Sequence, residues 1–485
     1  MLGGSVTRGR VTVPRVEADR RSVEDAIHQT PGVSTADDAR RSARRTRRRI
    51  LWAAVVLLIA GIPLVLAALA GMPHLFRTTR LRSVVDREPG GASPGVTSPQ
   101  FIPAFTLLTG SPLTTGNTVT VLADGDGTFP RLWRDLRRAR RSVTVQMYYA
   151  GPGAVADSVT NILGERARAG VSVYVLYDAF GAQDLPPRYF ERLRAAGARV
   201  AEFRPVRWYS LDRAGHRSHV RGIVVDGAIA YTGGFGFDDK WLGDGRQFRA
   251  WRETNARFTG PTVVPMQATF IANWAEATGQ LLTGERFLPL DDRAVATAAA
   301  TGVAEAALVY SPPLTGITAA ERFLAFSILS AQRRLYIANA YFIPQPDYVQ
   351  LLVAAARRGV DVRILTNGAR SDVRTTWLAG RSRYEVLLEA GARIYEYRPT
   401  TMHAKTLVVD GAWTAVTTMN FDNRSLAFNS EIALAVLDGA LGASMEAQFV
   451  ADLQFADEIR LGEFRRRSRR QRFLERAASV IANLL

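Results

Sequence analysis

Two stretches of the chain, HVRGIVVDGAIAYTGGFGFDDK (219–240) and HAKTLVVDGAWTAVTTMNFDNR (403–424), align without a gap. His219 meets His403, Arg221 meets Lys405, Asp226 meets Asp410 and Gly227 meets Gly411. Each stretch opens on a histidine, places a cation two positions on and an aspartate five positions after that, with apolar residues between. In a strand, positions i and i+2 share a face, so each copy sets an imidazole beside a cation.

The repeat extends outward from these stretches. Before the first lie SVTVQMYY (142–149), a helix-period stretch ending in GERARAG (164–170), and VSVYVLYDAFG (171–181). Before the second lie RRLYIANAYFIPQPD (333–347), a helix-period stretch ending in AAARRG (354–359), and VDVRILTNGAR (360–370). Each set reads as strand, helix stopped at glycine (Gly170, Gly359), strand. Near-continuous Val/Ile/Leu/Tyr strands joined by helices predict an α/β protein with a mostly parallel sheet buried on both faces. Two copies predict two repeated domains, 116–290 and 300–459, related by a pseudo-twofold axis with one site at their junction. A duplicated scaffold without chemistry is the alternative.

The rest of the chain bounds the possibilities. Its 485 residues include no cysteine, which excludes disulfide scaffolds, thiolate nucleophiles and cysteine metal sites. The formal charge is +17, and only two of the 62 basic residues, Lys240 and Lys405, are lysine. Residues 1–49 hold 12 arginines against 6 acidic residues, and 460–485 hold 8 against 2. The charge therefore sits at the ends. The domains between are mildly basic, which argues against nucleic acid as partner and for an acidic membrane surface or phosphorylated substrate.

Residues 1–49 read as a disordered, arginine-rich tail. Ile50 to Gly71 carries no charge, and its 22 residues suffice to cross a hydrocarbon core of about 30 Å. It lies too far into the chain for a signal peptide and is too long and uncharged for an ordinary core helix. One transmembrane helix, 50–71, is expected. Arginines crowd its N-terminal side, which puts the N-terminus in the cytoplasm and the domains outside. The Pro/Gly-rich stretch within 72–115 reads as a linker or wrapping segment. The tail 460–485 has an arginine run and then Phe473, Leu474, Ala477, Ala478, Ile481 and Leu485 at helical spacing. That fits a helix on anionic lipid, or one packed on the protein surface.

A doubled His-x-cation-x4-Asp pattern has a chemical reading. Cations neutralise phosphate oxygens while one imidazole attacks phosphorus and the other protonates the leaving oxygen. Fixed cations and donors stabilise the transition-state charge, so neither metal nor cofactor is expected.

The pair of motifs resembles the phospholipase D superfamily and, over residues 116–485, the bacterial cardiolipin synthases. Supporting phrases are YDAFG (177–181), WRETNARFTGP (251–261), YFIP (341–344), LLEAGARIYEY (387–397) and HAKTLVVDG (403–411). The resemblance implies two phospholipase-D-like domains in a bacterial cell membrane. It implies a phosphatidyltransferase that joins two phosphatidylglycerols through a phosphohistidine. His219 would be the nucleophile and His403 the acid and then the base, with the reverse assignment open. Arg221, Lys405 and Asn420 would hold phosphate. Glu431 and Glu253 would orient the histidines, and Asp226 and Asp410 would complete the motifs, chiefly by fixing structure. The first copy departs from the pattern: Arg221 replaces lysine, Gly236 stands at the place of Asn420, and Glu253 and Asn255 stand where the family usually shows Asp and His. A phospholipase, a nuclease or an inactive lipid-binding protein are the competing functions.

Overall fold

The computed structural model describes residues 40–57, 61, 93–205, 215–289, 302–313 and 316–484. The chain divides into two compact units, 1–67 and 68–485. In the first, residues 40–57 form a helix exposed along its length. The expected tail 1–39 lies outside the described residues, as does the expected span 50–71 apart from 50–57 and 61. Among the described residues no helix is long and apolar enough to cross a membrane.

The second unit is built on strands β1 (Thr114–Ala123), β2 (Ser142–Met147), β3 (Ser172–Asp178), β4 (Arg199–Phe203), β5 (Gly222–Val225), β6 (Ile229–Gly233) and β7 (Thr254–Thr259). The second repeat supplies β8 (Ala304–Ser311), β9 (Arg334–Asn339), β10 (Asp361–Asn367), β11 (Arg393–Tyr397), β12 (Lys405–Val409), β13 (Trp413–Thr417), β14 (Glu431–Leu437) and β15 (Ala456–Ile459). They form one sheet in the order β15-β11-β10-β9-β12-β13-β14-β8-β1-β7-β6-β5-β2-β3-β4. Read outward from the β8–β1 junction, the two sides repeat one order, with β15 added at one edge. β1 and β8 pair antiparallel, as a twofold relation demands.

The sheet is buried on both faces, as β2 and β14 illustrate. It is not mostly parallel. Only β2-β3-β4 and β9-β10-β11 run parallel. The reason lies inside the motifs. Val-Val-Asp-Gly folds as a tight hairpin, with Asp226 and Gly227 at φ 55° and 67° and Asp410 and Gly411 at 52° and 71°. Two successive positive φ values define the turn that joins antiparallel strands, and Asp-Gly is a favoured pair for it. The motif thus adds two antiparallel strands to each parallel trio.

The helices Ala154–Arg168 and Pro346–Arg357 stop where expected, with Gly170 and Gly359 at φ 88° and 92°. One apolar cluster draws Val224, Phe258 and Met266 from the first repeat together with Val408, Leu434 and Phe449 from the second. The two repeats therefore share a core. The segment 72–115 is more than a linker. Its helix Phe101–Thr109 buries Phe101 and Phe105 against Trp413 and Phe326 of the second repeat. In the C-terminal tail, helix Arg469–Leu484 packs one face on the domain. Its buried Glu475 pairs with Arg381 and Arg467, while Phe473 and Val480 remain exposed.

Candidate active site

The strand entries carry the histidines to one place. Asp178, at the end of β3, accepts the backbone N–H of Ser218 at 2.9 Å, and Asn367, at the end of β10, accepts that of Met402 at 2.7 Å. Each therefore anchors the residue before a histidine. The backbones then cross between repeats. His219 N–H donates to the Ser430 carbonyl, and His403 N–H donates to that of Arg252. Ser430 and Arg252 immediately precede the two glutamates. Each histidine is consequently met by the glutamate of the other repeat. His219 Nδ1 lies 2.9 Å from Glu431, and His403 Nδ1 lies 2.6 Å from Glu253. All four side chains are buried.

The cations reach back equivalently. Lys405 Nζ donates to the His403 carbonyl at 2.7 Å, and Arg221 Nη1 donates to the His219 carbonyl at 3.3 Å. Lys405 Nζ also stands 3.1 Å from His403 Nε2. Arg221 Nε and Asn420 Oδ1 are buried without partners. The cavity of about 370 Å³ that these groups border is lined by His219, Arg221, His403 and Asn420, with Tyr148, Trp241 and Trp251 among its aromatic walls.

Burial dominates the electrostatics. Desolvation, with Arg221 and Lys405 close by, holds His219 well below the ordinary histidine range. Desolvation and the same two cations do so for His403. Burial pushes Glu431 up to about 8 and Glu253 up to about 7. It lowers Lys405 to about 7, which Glu253 opposes and Arg221 reinforces. Both imidazoles are thereby held toward the neutral form. The glutamate oxygen that accepts the Nδ1 proton leaves the Nε2 lone pair available for attack.

The departures of the first repeat have local causes. A Cβ at Gly236 would fall 2.7 Å from the Trp241 ring, so the indole occupies the space that Asn420's side chain would need in this repeat. Trp241 Nε1 donates to Glu253 at 3.2 Å. Where Glu253 has this indole, Glu431 is held by Thr418, Ser425 and Asn429.

The two motif aspartates stand apart from the cavity-lining side chains. The Asp226 carboxylate accepts the backbone N–H groups of Arg140, Arg141 and Ser142, and that of Asp410 those of Gln332, Arg333 and Arg334. They tie each motif hairpin to the strand beside it. Sequence reasoning missed Lys240 and Arg424, which also line the cavity. Lys240 had a signal: it is the other of the two lysines. Trp241 lines the cavity, while 207–210 lie outside the described residues.

Fold and site together define a duplicated phosphoryl-transfer centre with two oriented histidines and fixed cations. A family profile described as "Cardiolipin synthase, PLD-like domain" matches residues 132–274 and 324–453. A cardiolipin synthase of Geobacillus kaustophilus is 32% identical over 375 residues, covering 77% of this chain and 74% of that protein. Cardiolipin synthase 1 of Bacillus cereus is 31% identical over 385 residues, with 78% and 74% covered. The crystal structure of phosphatidylserine synthase from Haemophilus influenzae shares the fold, with TM-score 0.60 at 14% identity over 80% of this chain and all of that one. The chain belongs to the cardiolipin synthase family with phospholipase-D-like domains.

Proposed function

We propose that this protein is a membrane phosphatidyltransferase that makes cardiolipin from two molecules of phosphatidylglycerol. The observation that carries the reading is the pair of glutamate-oriented histidines facing one cavity between buried Arg221 and Lys405. We take His219 as the nucleophile, because His403 Nε2 lies 3.1 Å from the Lys405 Nζ donor. His219 Nε2 attacks the donor phosphorus. The bond to the glycerol oxygen breaks, and His403 gives that oxygen a proton. A bound phosphate offsets the cations that keep His403 neutral, so the imidazole gains the proton it donates. Glycerol leaves. His403 then takes the proton of the acceptor hydroxyl, whose oxygen attacks phosphorus as the bond to His219 breaks. Arg221, Lys405 and Asn420 hold the phosphate oxygens throughout.

The uncharged run 50–71 supports a single membrane anchor with the domains on the extracytoplasmic side. The test is to incubate the purified protein with phosphatidylglycerol and resolve the lipids by mass spectrometry, beside His219→Ala and His403→Ala. Cardiolipin and glycerol, lost in both variants, are expected. Phosphatidic acid alone would make the protein a hydrolase, and unchanged lipid would sink the reading.

A further inference from the structure

Both lysines of the chain line the cavity or hold its histidine, yet the mechanism above uses only Lys405. Lys240 is the middle residue of the short turn Asp239–Trp241, and its backbone N–H donates to the Asp238 carboxylate at 2.9 Å. Its Nζ lies 3.3 Å from the Tyr149 ring centroid, 4.4 Å from that of Trp251 and 4.8 Å from that of Trp241. Among the described residues its Nζ makes no hydrogen bond or ion pair. Three aromatic faces thus hold this ammonium at the cavity wall.

Its side of the cavity is defined. Trp241 and Trp251 also touch the ring of His403, at 5.5 and 5.1 Å between centroids. The ring that meets His219 is Tyr148, at 5.0 Å, with Arg221 above it. Lys240 therefore belongs to the wall of His403. Burial lowers Lys240 to about 8, against the opposing pull of Asp238, Asp372 and Asp184, so it is a cation at neutral pH.

The next step rests on the reading that His403 takes the proton of the acceptor. An acceptor hydroxyl at His403 brings the phosphate of the same glycerol headgroup, three carbons and an oxygen away, toward this wall. We propose that Lys240 binds the acceptor phosphate and so selects an anionic lipid acceptor over water and neutral alcohols. The donor phosphate keeps Arg221, Lys405 and Asn420, and the acceptor phosphate takes Lys240. When the bond from phosphorus to His219 breaks and the bond to the acceptor oxygen forms, two phosphates stand side by side, each with its own cation.

The experiment offers the full-length protein vesicles of phosphatidylglycerol with ethanol as a neutral competitor. Cardiolipin, phosphatidylethanol and phosphatidic acid are quantified together. Lys240→Met keeps the stem and removes the charge. Loss of one charge-assisted contact should cut cardiolipin by about tenfold to a hundredfold, while the other two products fall by no more than about threefold. Lys240→Arg should restore at least half of the cardiolipin. An equal fall of all three products would overturn the assignment in favour of a donor or structural role, and so would cardiolipin unchanged in Lys240→Met. Either result, with cardiolipin made by wild type, leaves the proposed function standing. A wild type that makes no cardiolipin sinks both readings.

Discussion

Each histidine depends on one carboxylate, and the two should fail differently. Glu431 orients the proposed nucleophile and Glu253 the acid–base. Glu253→Gln should slow acceptor attack more than donor cleavage, so phosphohistidine should accumulate on His219 and be visible by intact-protein mass spectrometry. Glu431→Gln should slow its formation. A loss of about 10²–10⁴ in turnover is expected for each, as when other catalytic histidines lose their carboxylate. The cations set the alkaline limit. A lysine is charged only below its pKa, and burial lowers Lys405 to about 7. Activity should fall as pH rises beyond this value, displaced upward by whatever the bound phosphate adds. Lys405→Arg keeps its charge, so its pH profile should lose that limb even if the maximum is lower. Both histidines and Lys405 were legible in the sequence because a doubled pattern marks them, and both glutamates were named by the family resemblance. Lys240 was not, because the pattern does not contain it; only the scarcity of lysine pointed there.

At the level of elements, the motif aspartates are turn residues with a burden of backbone donors. Asp410→Ala would strand the three N–H groups its carboxylate accepts. A loss of about 2–4 kcal/mol is expected in chemical denaturation, largely recovered in Asp410→Asn, while protein that remains folded keeps its phosphohistidine chemistry. An intact fold with no phosphohistidine would return Asp410 to the catalytic set. The helix Phe101–Thr109 is a second case. Phe101→Ala should cost about 3–5 kcal/mol, because the ring is fully buried against Trp413 and Phe326. From sequence the aspartates read as structural and the segment as a linker or wrapping segment, but the sense of strand pairing was misread. Apolar strands look alike whether paired parallel or antiparallel, and the Asp-Gly turn that separates the cases sits inside the catalytic motif. The helix was hidden by the Pro/Gly-rich residues before it, which read as linker.

Across the whole molecule, repetition made the architecture visible. Matched histidines and matched strand–helix–strand phrases implied two like domains and one shared site, and the sheet order bears out the repeat. What no spacing could give is the crossing of partners. His219 is nearer in sequence to Glu253 and His403 to Glu431, and only the paired backbones at Ser218–Ser430 and Arg252–Met402 exchange them. Fragments ending at 290 and beginning at 302 should each be silent when made alone. Co-expressed, they should re-form the β1–β8 junction and recover phosphohistidine formation.

That exchange has a bearing on how such a chain can change over generations. In most duplicated proteins one copy can decay while the other carries the work. Here a lesion in either copy strikes the chemistry of its sibling, since Glu253 serves His403 and Glu431 serves His219. Drift is confined to changes that keep each exchanged pair working, as Glu253 keeps a carboxylate where the family usually shows Asp. Arg221 and Gly236 fit this confinement: the first repeat has departed from the pattern at its phosphate ligands while both loans between the copies stay in force. The duplication works as a ratchet, and neither half is free to become a spare.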